Sequence, residues 1–194
     1  MSSKKGLALI ECSLKESAKT IRGIEAQKLQ GIADMMVRCY KNGGKVMLCG
    51  NGGSSSQAQH IAAELVCRFR RDRGPFSALS LTADTSVLTA QANDVGFDSV
   101  FERQVYAHGR NGDMLIALST SGNSPNVVRA LSAASRRSIN TVAFTGEDRL
   151  SKVAVVADEV LFIESSDTPR IQEAHIVAGH IICDLVEREL ARRP

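Results

Sequence analysis

Apolar positions along the chain change their spacing from one segment to the next. Residues 7–40 carry Ile21, Ile24, Leu29, Ile32, Met36 and Val37 at roughly helical intervals. The pattern predicts two helices with a break near Gly23 or Gly31, ended by Asn42-Gly43-Gly44 as a cap and turn. Lys45–Gly50 is then a short apolar run without alternation, the mark of a strand buried on both faces. A loop of small residues, Asn51–Ser56, leads into a helix from about Gln57 to Phe69.

The alternation repeats to the end of the chain. Further strands are predicted at Ser77–Leu81, Asp113–Leu118, Asn140–Phe144 and Glu159–Ile163. Helices are predicted at Thr85–Ala92, Ser99–Gly109, from the end of a Ser119–Asn126 loop to about Arg137, at Asp148–Val156 and at Pro169–Ala191. Strands alternating with helices imply an α/β fold, a parallel sheet with helices on both faces. No linker, low-complexity stretch or charge block divides residues 1–194, so one domain is expected. Residues 1–42 form a helical extension ahead of the first strand. It is expected to pack beside the sheet or, with the long last helix, against a second copy, making a homo-oligomer.

Composition narrows the partners. Apolar residues at 43% and charged residues at 23% exclude a disordered or fibrous chain. Twenty-four basic against 21 acidic residues is too even a balance to indicate nucleic acid or a membrane surface. Aromatics at 4%, with no Trp, argue against a base-stacking platform. The five cysteines (12, 39, 49, 67 and 183) are odd in number and lack C-x-x-C spacing. Most fall in apolar runs, which predicts buried reduced thiols in a reducing compartment. Lys4 and Lys5 precede a short apolar run, but Glu11 interrupts it, so no signal peptide is expected. No apolar stretch approaches a membrane span, and the cytoplasm is the expected location.

Two loops stand where a parallel sheet binds its ligands, outside the carboxyl ends of strands. The first is Gly50-Asn51-Gly52-Gly53-Ser54-Ser55-Ser56, whose glycines let backbone N–H groups approach an oxyanion at a helix start. The second, Ser119-Thr120-Ser121-Gly122-Asn123-Ser124-Pro125-Asn126, brings four hydroxyls to another helix start. There Pro125 suits the first helical position and Ser124 the N-cap. Either loop alone reads as a turn and a cap; the pair points to an anionic or phosphate ligand. Neither holds Lys or Arg, and the G-x-x-x-x-G-K-[ST] pattern of nucleoside triphosphatases is absent. Nicotinamide binding is also disfavoured. Ser55 stands where the last Gly of a dinucleotide fingerprint belongs, and Arg70 and Arg71 where its acidic residue is expected.

His60 and Glu64 lie four residues apart and share one helix face with Gln57. The last helix carries Gln172, Glu173, His175 and His180, with position 180 about 80° around from 172 and about 20° from 173. Read singly, His60 and Glu64 are an exposed pair worth about a few tenths of a kcal/mol. His180, inside Ile176–Ile182, reads singly as a core histidine. Together, His, Glu, His and an amide oxygen suit a divalent metal, zinc foremost, or a base and acid for proton transfer. Spacing does not choose between these.

Gly50-Asn51-Gly52-Gly53-Ser54 with His60 and Glu64, then Asn93-Asp94, then Ser119–Ser124, then Arg170-Ile171-Gln172-Glu173-x-His175 with His180, resembles the phosphoheptose isomerases of the sugar-isomerase (SIS) domain superfamily. The likeness spans essentially the whole chain. It implies a three-layer αβα sandwich around a five-stranded parallel sheet, in a homotetramer whose sites draw on neighbouring subunits. It also implies a zinc-dependent aldose–ketose isomerisation of sedoheptulose 7-phosphate to D-glycero-D-manno-heptose 7-phosphate, the first step toward ADP- or GDP-heptose for lipopolysaccharide or surface glycans. By that resemblance the metal ligands are His60, Glu64, Gln172 and His180, one ion per subunit, and Glu64 and His180 transfer protons. Ser119, Thr120, Ser121 and Ser124 hold the phosphate. Asn51, Gly52, Gly53, Ser54, Asn93, Asp94 and Gln172 contact the substrate. The positions after Ser54, Ser55-Ser56-Gln57, and the segment Ser165–Pro169 fall where the family varies.

Three other functions fit parts of the sequence. These are a non-catalytic SIS protein that binds the replication initiator, a sugar-phosphate-sensing module, and an isomerase for a shorter sugar phosphate. Glu64 together with His60 and His180 favours the enzyme over the first two.

Overall fold

A computed structural model of the chain describes residues 3–191. Two helices lead, α1 (Ser3–Arg22) and α2 (Ala26–Lys41). The break falls at Gly23, whose N–H is shared by the carbonyls of Lys19 and Thr20 at 3.1 Å each; Gly31 stays within α2. Then follow β1 (Val46–Gly50), α3 (Gly53–Val66), β2 (Ala78–Ser80) and α4 (Thr85–Asp94). A 3₁₀ turn at Phe97–Ser99 runs into α5 (Val100–His108). The remainder is β3 (Met114–Leu118), α6 (Pro125–Arg136), β4 (Asn140–Thr145), α7 (Lys152–Val156), β5 (Glu159–Phe162) and α8 (Thr168–Leu190).

The five strands form one parallel sheet in the order β2-β1-β3-β4-β5. Every residue of β1 and β3 is buried, as their unbroken apolar runs predict. Alternate residues face opposite layers. Val46, Leu48, Ile116 and Phe144 pack with Ile32 of α2, Leu65 of α3 and Ile182 of α8. Met47, Cys49, Leu115 and Ala143 pack with Phe101 and Val105 of α5 and Leu131 of α6. The result is the three-layer αβα sandwich, with α1 lying outside it against α8. Arg170 of α8 ties that contact by donating to the carbonyl and hydroxyl of Ser13, both at 2.8 Å.

Three local expectations change. The helix after β1 begins at Gly53, four residues earlier than predicted. Gly52, at φ +54°, turns the chain so that Asn51's carbonyl accepts from Ser54 N–H at 3.0 Å and Ser55 N–H at 3.3 Å. Ser54–Ser56 are therefore its first turn. α7 begins at Lys152, because Asp148 Oδ1 accepts from Leu150 N–H at 2.9 Å and holds Asp148–Leu150 as an Asx turn. All five cysteines are free, but only Cys39, Cys49 and Cys183 are buried; Cys12 and Cys67 are exposed. Those two lie, respectively, on α1's outer surface and in the C-cap of α3.

Candidate active site

The chain leaves β1 for β2 on one side and returns to β3 on the other, so the sheet's switch point lies between β1 and β3. The crevice outside the carboxyl ends at such a point is where open parallel sheets bind ligands. Gly50 and Leu118 are register partners, so the loops following them start at the same level.

In the first loop, a Cβ on Gly50 would stand 2.9 Å from both the Leu118 carbonyl oxygen and Ser54 Cβ, so only Gly allows so tight a turn. Asn51 reaches across to Asn126, at the start of α6, in two reciprocal amide hydrogen bonds of 2.8 and 2.9 Å. Ser54 is buried in the first turn of α3.

In the second loop, Gly122 lies at φ +65°, and a Cβ there would fall 2.4 Å from Ser151 Cβ. Ser124 occupies the N-cap position with Pro125 behind it, as predicted, but makes no capping hydrogen bond. Its hydroxyl instead meets Ser119 Oγ at 3.3 Å. Ser121 Oγ accepts from Asn123 N–H at 3.2 Å. Pro125 has no N–H, and the Val127 and Val128 N–H groups already donate to the Ser124 carbonyl at 3.1 and 3.0 Å, so what the start of α6 offers an oxyanion is the ring of loop hydroxyls at the positive end of the helix dipole. A cavity of about 240 Å³ adjoins the loop, lined in part by Thr120, Ser121, Gly146 and Ser165. A larger one, about 650 Å³, lies at the amino ends of the strands beside Tyr40, Lys41 and Phe76, and holds none of these residues.

Helices α3 and α8 pack together and bring the His-Glu pair to the late His. Gly179 is buried with Ile61 against it; a Cβ at 179 would lie 2.6 Å from Ile61 Cδ1. Next along each helix, His60 Nε2 and His180 Nε2 stand 2.9 Å apart, and His60 Nε2 is 3.3 Å from Glu64 Oε1. Ligand atoms of all three lie within 4.8 Å of one another. Bonds of 2.0–2.1 Å to a tetrahedral ion separate its donors by roughly 3.3 Å, so this convergent N, N, O set fits a zinc-like ion. Burial pushes the His180 imidazole below its ordinary pKa, the facing His60 adds to this, and Glu64 opposes it. The Phe69 ring stacks on His180, centroids 5.3 Å apart.

Gln172 is placed at the amino end of α3. Its carboxamide fills the space a Cβ on Gly53 would need, with Nε2 2.6 Å from that position, and the Gln172 backbone carbonyl accepts from Gln57 Nε2 at 2.6 Å. Gly53 is seven residues, about two turns, ahead of His60. Asn93 and Asp94 end α4, exposed, with Asn93 Nδ2 donating to Asp94 Oδ1 at 2.9 Å. They form no hydrogen bond with the three convergent side chains. His175 is buried beneath the second loop beside the Phe144 ring, its Nε2 3.4 Å from the Thr145 carbonyl oxygen. Burial holds that imidazole down to about 4, against the pull of the carbonyl.

Sequence reasoning passed over Asn126, Gly179 and Phe69. Asn126 was legible only as the last residue of a polar loop. Gly179, an isolated glycine in an apolar helical run, carried the usual signal of a close approach. Phe69 carried none.

A SIS domain family model matches residues 12–146. A phosphoheptose isomerase of Clostridium acetobutylicum is 47% identical over 184 residues, covering 94% of this chain and 93% of that one. Two solved phosphoheptose isomerase structures superpose closely. That from Neisseria gonorrhoeae is 39% identical at TM-score 0.87, covering 96% of this chain and 100% of its own. That from Francisella tularensis is 33% identical at TM-score 0.88, covering 97% and 100%.

Proposed function

The chain belongs to the phosphoheptose isomerases of the SIS-domain family, and from that membership we propose that it converts sedoheptulose 7-phosphate to D-glycero-D-manno-heptose 7-phosphate through an enediol. Sugar-phosphate isomerisation is its enzyme class; the heptose substrate and a role at the start of ADP- or GDP-heptose supply for surface glycans are the proposal. The observation that carries it is the convergence of His60, Glu64 and His180 where α3 packs on α8.

The reaction moves one proton between C1 and C2 and others between the two oxygens. A single carboxylate over both carbons serves the first transfer, and Glu64 takes that role. His180 serves the oxygens: burial favours its neutral form, so it can take a hydroxyl proton and return it. His60, Glu64 and His180, with Gln172, are the proposed ligands of one Zn²⁺ per subunit; when bound, the ion polarises the substrate oxygens as a Lewis acid. Ser119, Thr120, Ser121 and Ser124 hold the phosphate, whose binding energy orients the reacting end. Asn51, Gly52, Gly53, Ser54 and Gln172 line the path from that anchor to the trio. Asn93 and Asp94 complete the sugar contacts.

The assembly proposed is a homotetramer with shared sites. On α1, Leu7, Ile10 and Leu14 are 58%, 57% and 65% exposed along one helical stripe, an apolar face suited to a second copy. Val95 and Phe97 are 69% and 56% exposed beside Asn93 and Asp94, which supports a subunit contact there. No helix among the described residues is long and apolar enough to cross a membrane. The cytoplasm, where sugar phosphates are held, is the proposed location.

The test is proton NMR of sedoheptulose 7-phosphate with the zinc-loaded protein in D₂O, repeated after chelation. An aldoheptose 7-phosphate should appear, vanish on chelation and return with zinc. No turnover by folded, metal-loaded protein would overturn the reading in favour of a binding or sensing protein. Turnover of only a shorter sugar phosphate would overturn the heptose assignment.

A further inference from the structure

Glu187 lies on α8, seven residues and about 20° around the helix from His180, and is fully buried. A buried carboxylate is costly unless paired and hydrogen-bonded. Here it accepts from three consecutive backbone N–H groups, Phe69 at 2.7 Å, Arg70 at 2.9 Å and Arg71 at 3.1 Å, and from Arg73 Nε at 3.0 Å. Successive backbone N–H groups converging on one anion form a nest, so the carboxylate dictates the path of residues 69–71. Burial alone would raise the Glu187 carboxyl, but these N–H groups and Arg73 outweigh it and hold it below the usual range.

Arg73 works in the other direction. Its Nη2 donates to the carbonyl of Glu64 at 2.9 Å, and its Nη1 to those of Leu65 and Gly74 at 2.9 Å each. The first two are carbonyls in the last turn of α3, which lack partners within the helix. The guanidinium is thus a cap on α3 that grips the peptide bearing Glu64. Between these two anchors runs the segment that lays Phe69 on the His180 imidazole.

We propose that Glu187 and Arg73 are a positioning pair for the isomerase site, holding Phe69 against His180 and the end of α3 under Glu64. Neither residue touches the reacting atoms; both act through Phe69, His180 and Glu64. The inference rests on the isomerase reading only for its consequence in turnover, because the placement of Phe69 on His180 is measurable without any reaction.

The test uses the full chain as purified, with ¹³C-labelled histidine. In the wild type, the Phe69 ring current should displace the His180 resonance, and Phe69→Leu should abolish that displacement. Glu187→Gln keeps the shape but loses the charge. It should also abolish the displacement, leaving exposed His108 unmoved as the reference. Turnover should fall about tenfold or more, the usual scale for residues supporting a metal or catalytic shell. Glu187→Asp, which restores the charge, should recover part of both. Arg73→Lys should give an intermediate displacement, and it carries the test should Glu187→Gln fail to fold. An unmoved His180 resonance in folded Glu187→Gln or Arg73→Lys overturns the proposal. A moved resonance in a protein that never turns over the heptose phosphate sustains the pair and overturns the reaction instead.

Discussion

Asn51 and Asn126 clasp each other by both ends of their amides, at 2.8 and 2.9 Å, and so join the loop after β1 to the loop after β3 across the switch point of the sheet. Asn51, the less buried of the two, still has one amide N–H and one lone pair beyond the clasp. The clasp holds the two loops at a set separation, and Asn126, at 2% exposure, is its buried half.

Asn126→Ala should therefore lower stability by about 1–3 kcal/mol, the scale for leaving a buried polar partner unsatisfied. It should also raise KM for the sugar phosphate more than it lowers kcat. Denaturant melts with steady-state kinetics check both. An unchanged KM would show that the loops keep their spacing without the clasp.

Gly122 should not tolerate a side chain. Its φ of +65° and the 2.4 Å approach to Ser151 Cβ mean that Gly122→Ala must strain the backbone or displace Ser151. The expected cost is about 1–3 kcal/mol. Binding of the phosphate end should weaken alongside, read by calorimetric titration with the phosphorylated sugar.

Removal of either member of the Glu64 and His180 pair should separate chemistry from fold. Glu64→Gln should reduce turnover by about 10²–10⁴-fold, the range for a general base, with an unchanged unfolding midpoint. Wild-type turnover there would remove Glu64 as the base. Zinc at a hundredfold excess over its Kd should stabilise the wild type by about 2.7 kcal/mol and should do nothing for His180→Gln. Stoichiometric zinc in His180→Gln would disprove the ligand assignment.

Acid should destabilise the fold through His175. Its pKa is about 4 in the folded chain, below the roughly 6.5 of an unfolded histidine. Between those values the unfolded state binds more protons, so stability is full above the upper value and falls as pH drops toward the lower one. The loss from this group is on the order of 3 kcal/mol, complete near pH 4. Unfolding free energies at pH 7 and pH 4.5 for the wild type and His175→Phe measure it. Equal slopes in the two would show that His175 is not the group responsible.

How much of this was legible beforehand follows the range of each interaction. Unbroken apolar runs at 45–50 and 113–118, helical spacing at 21–37 and the glycine-serine loops after β1 and β3 act through neighbours in sequence. From them come the α/β class, the strand positions and the two loops, together with the family likeness of the motifs. Boundaries set by one distant group were not legible: α3 ends at Val66, where the following N–H groups turn to Glu187, more than a hundred residues on. Residue type and local spacing suffice to show which kinds of chemical group the chain carries and on which elements they lie. Tertiary structure alone decided which groups meet. It set His60 against His180 through the α3 and α8 packing at Gly179, rested Gln172 on Gly53, and left Asn93 and Asp94 at an exposed helix end. The physical reason is that such meetings depend on strand order and helix crossing, which arise from the collective burial of both sheet faces and not from any one segment.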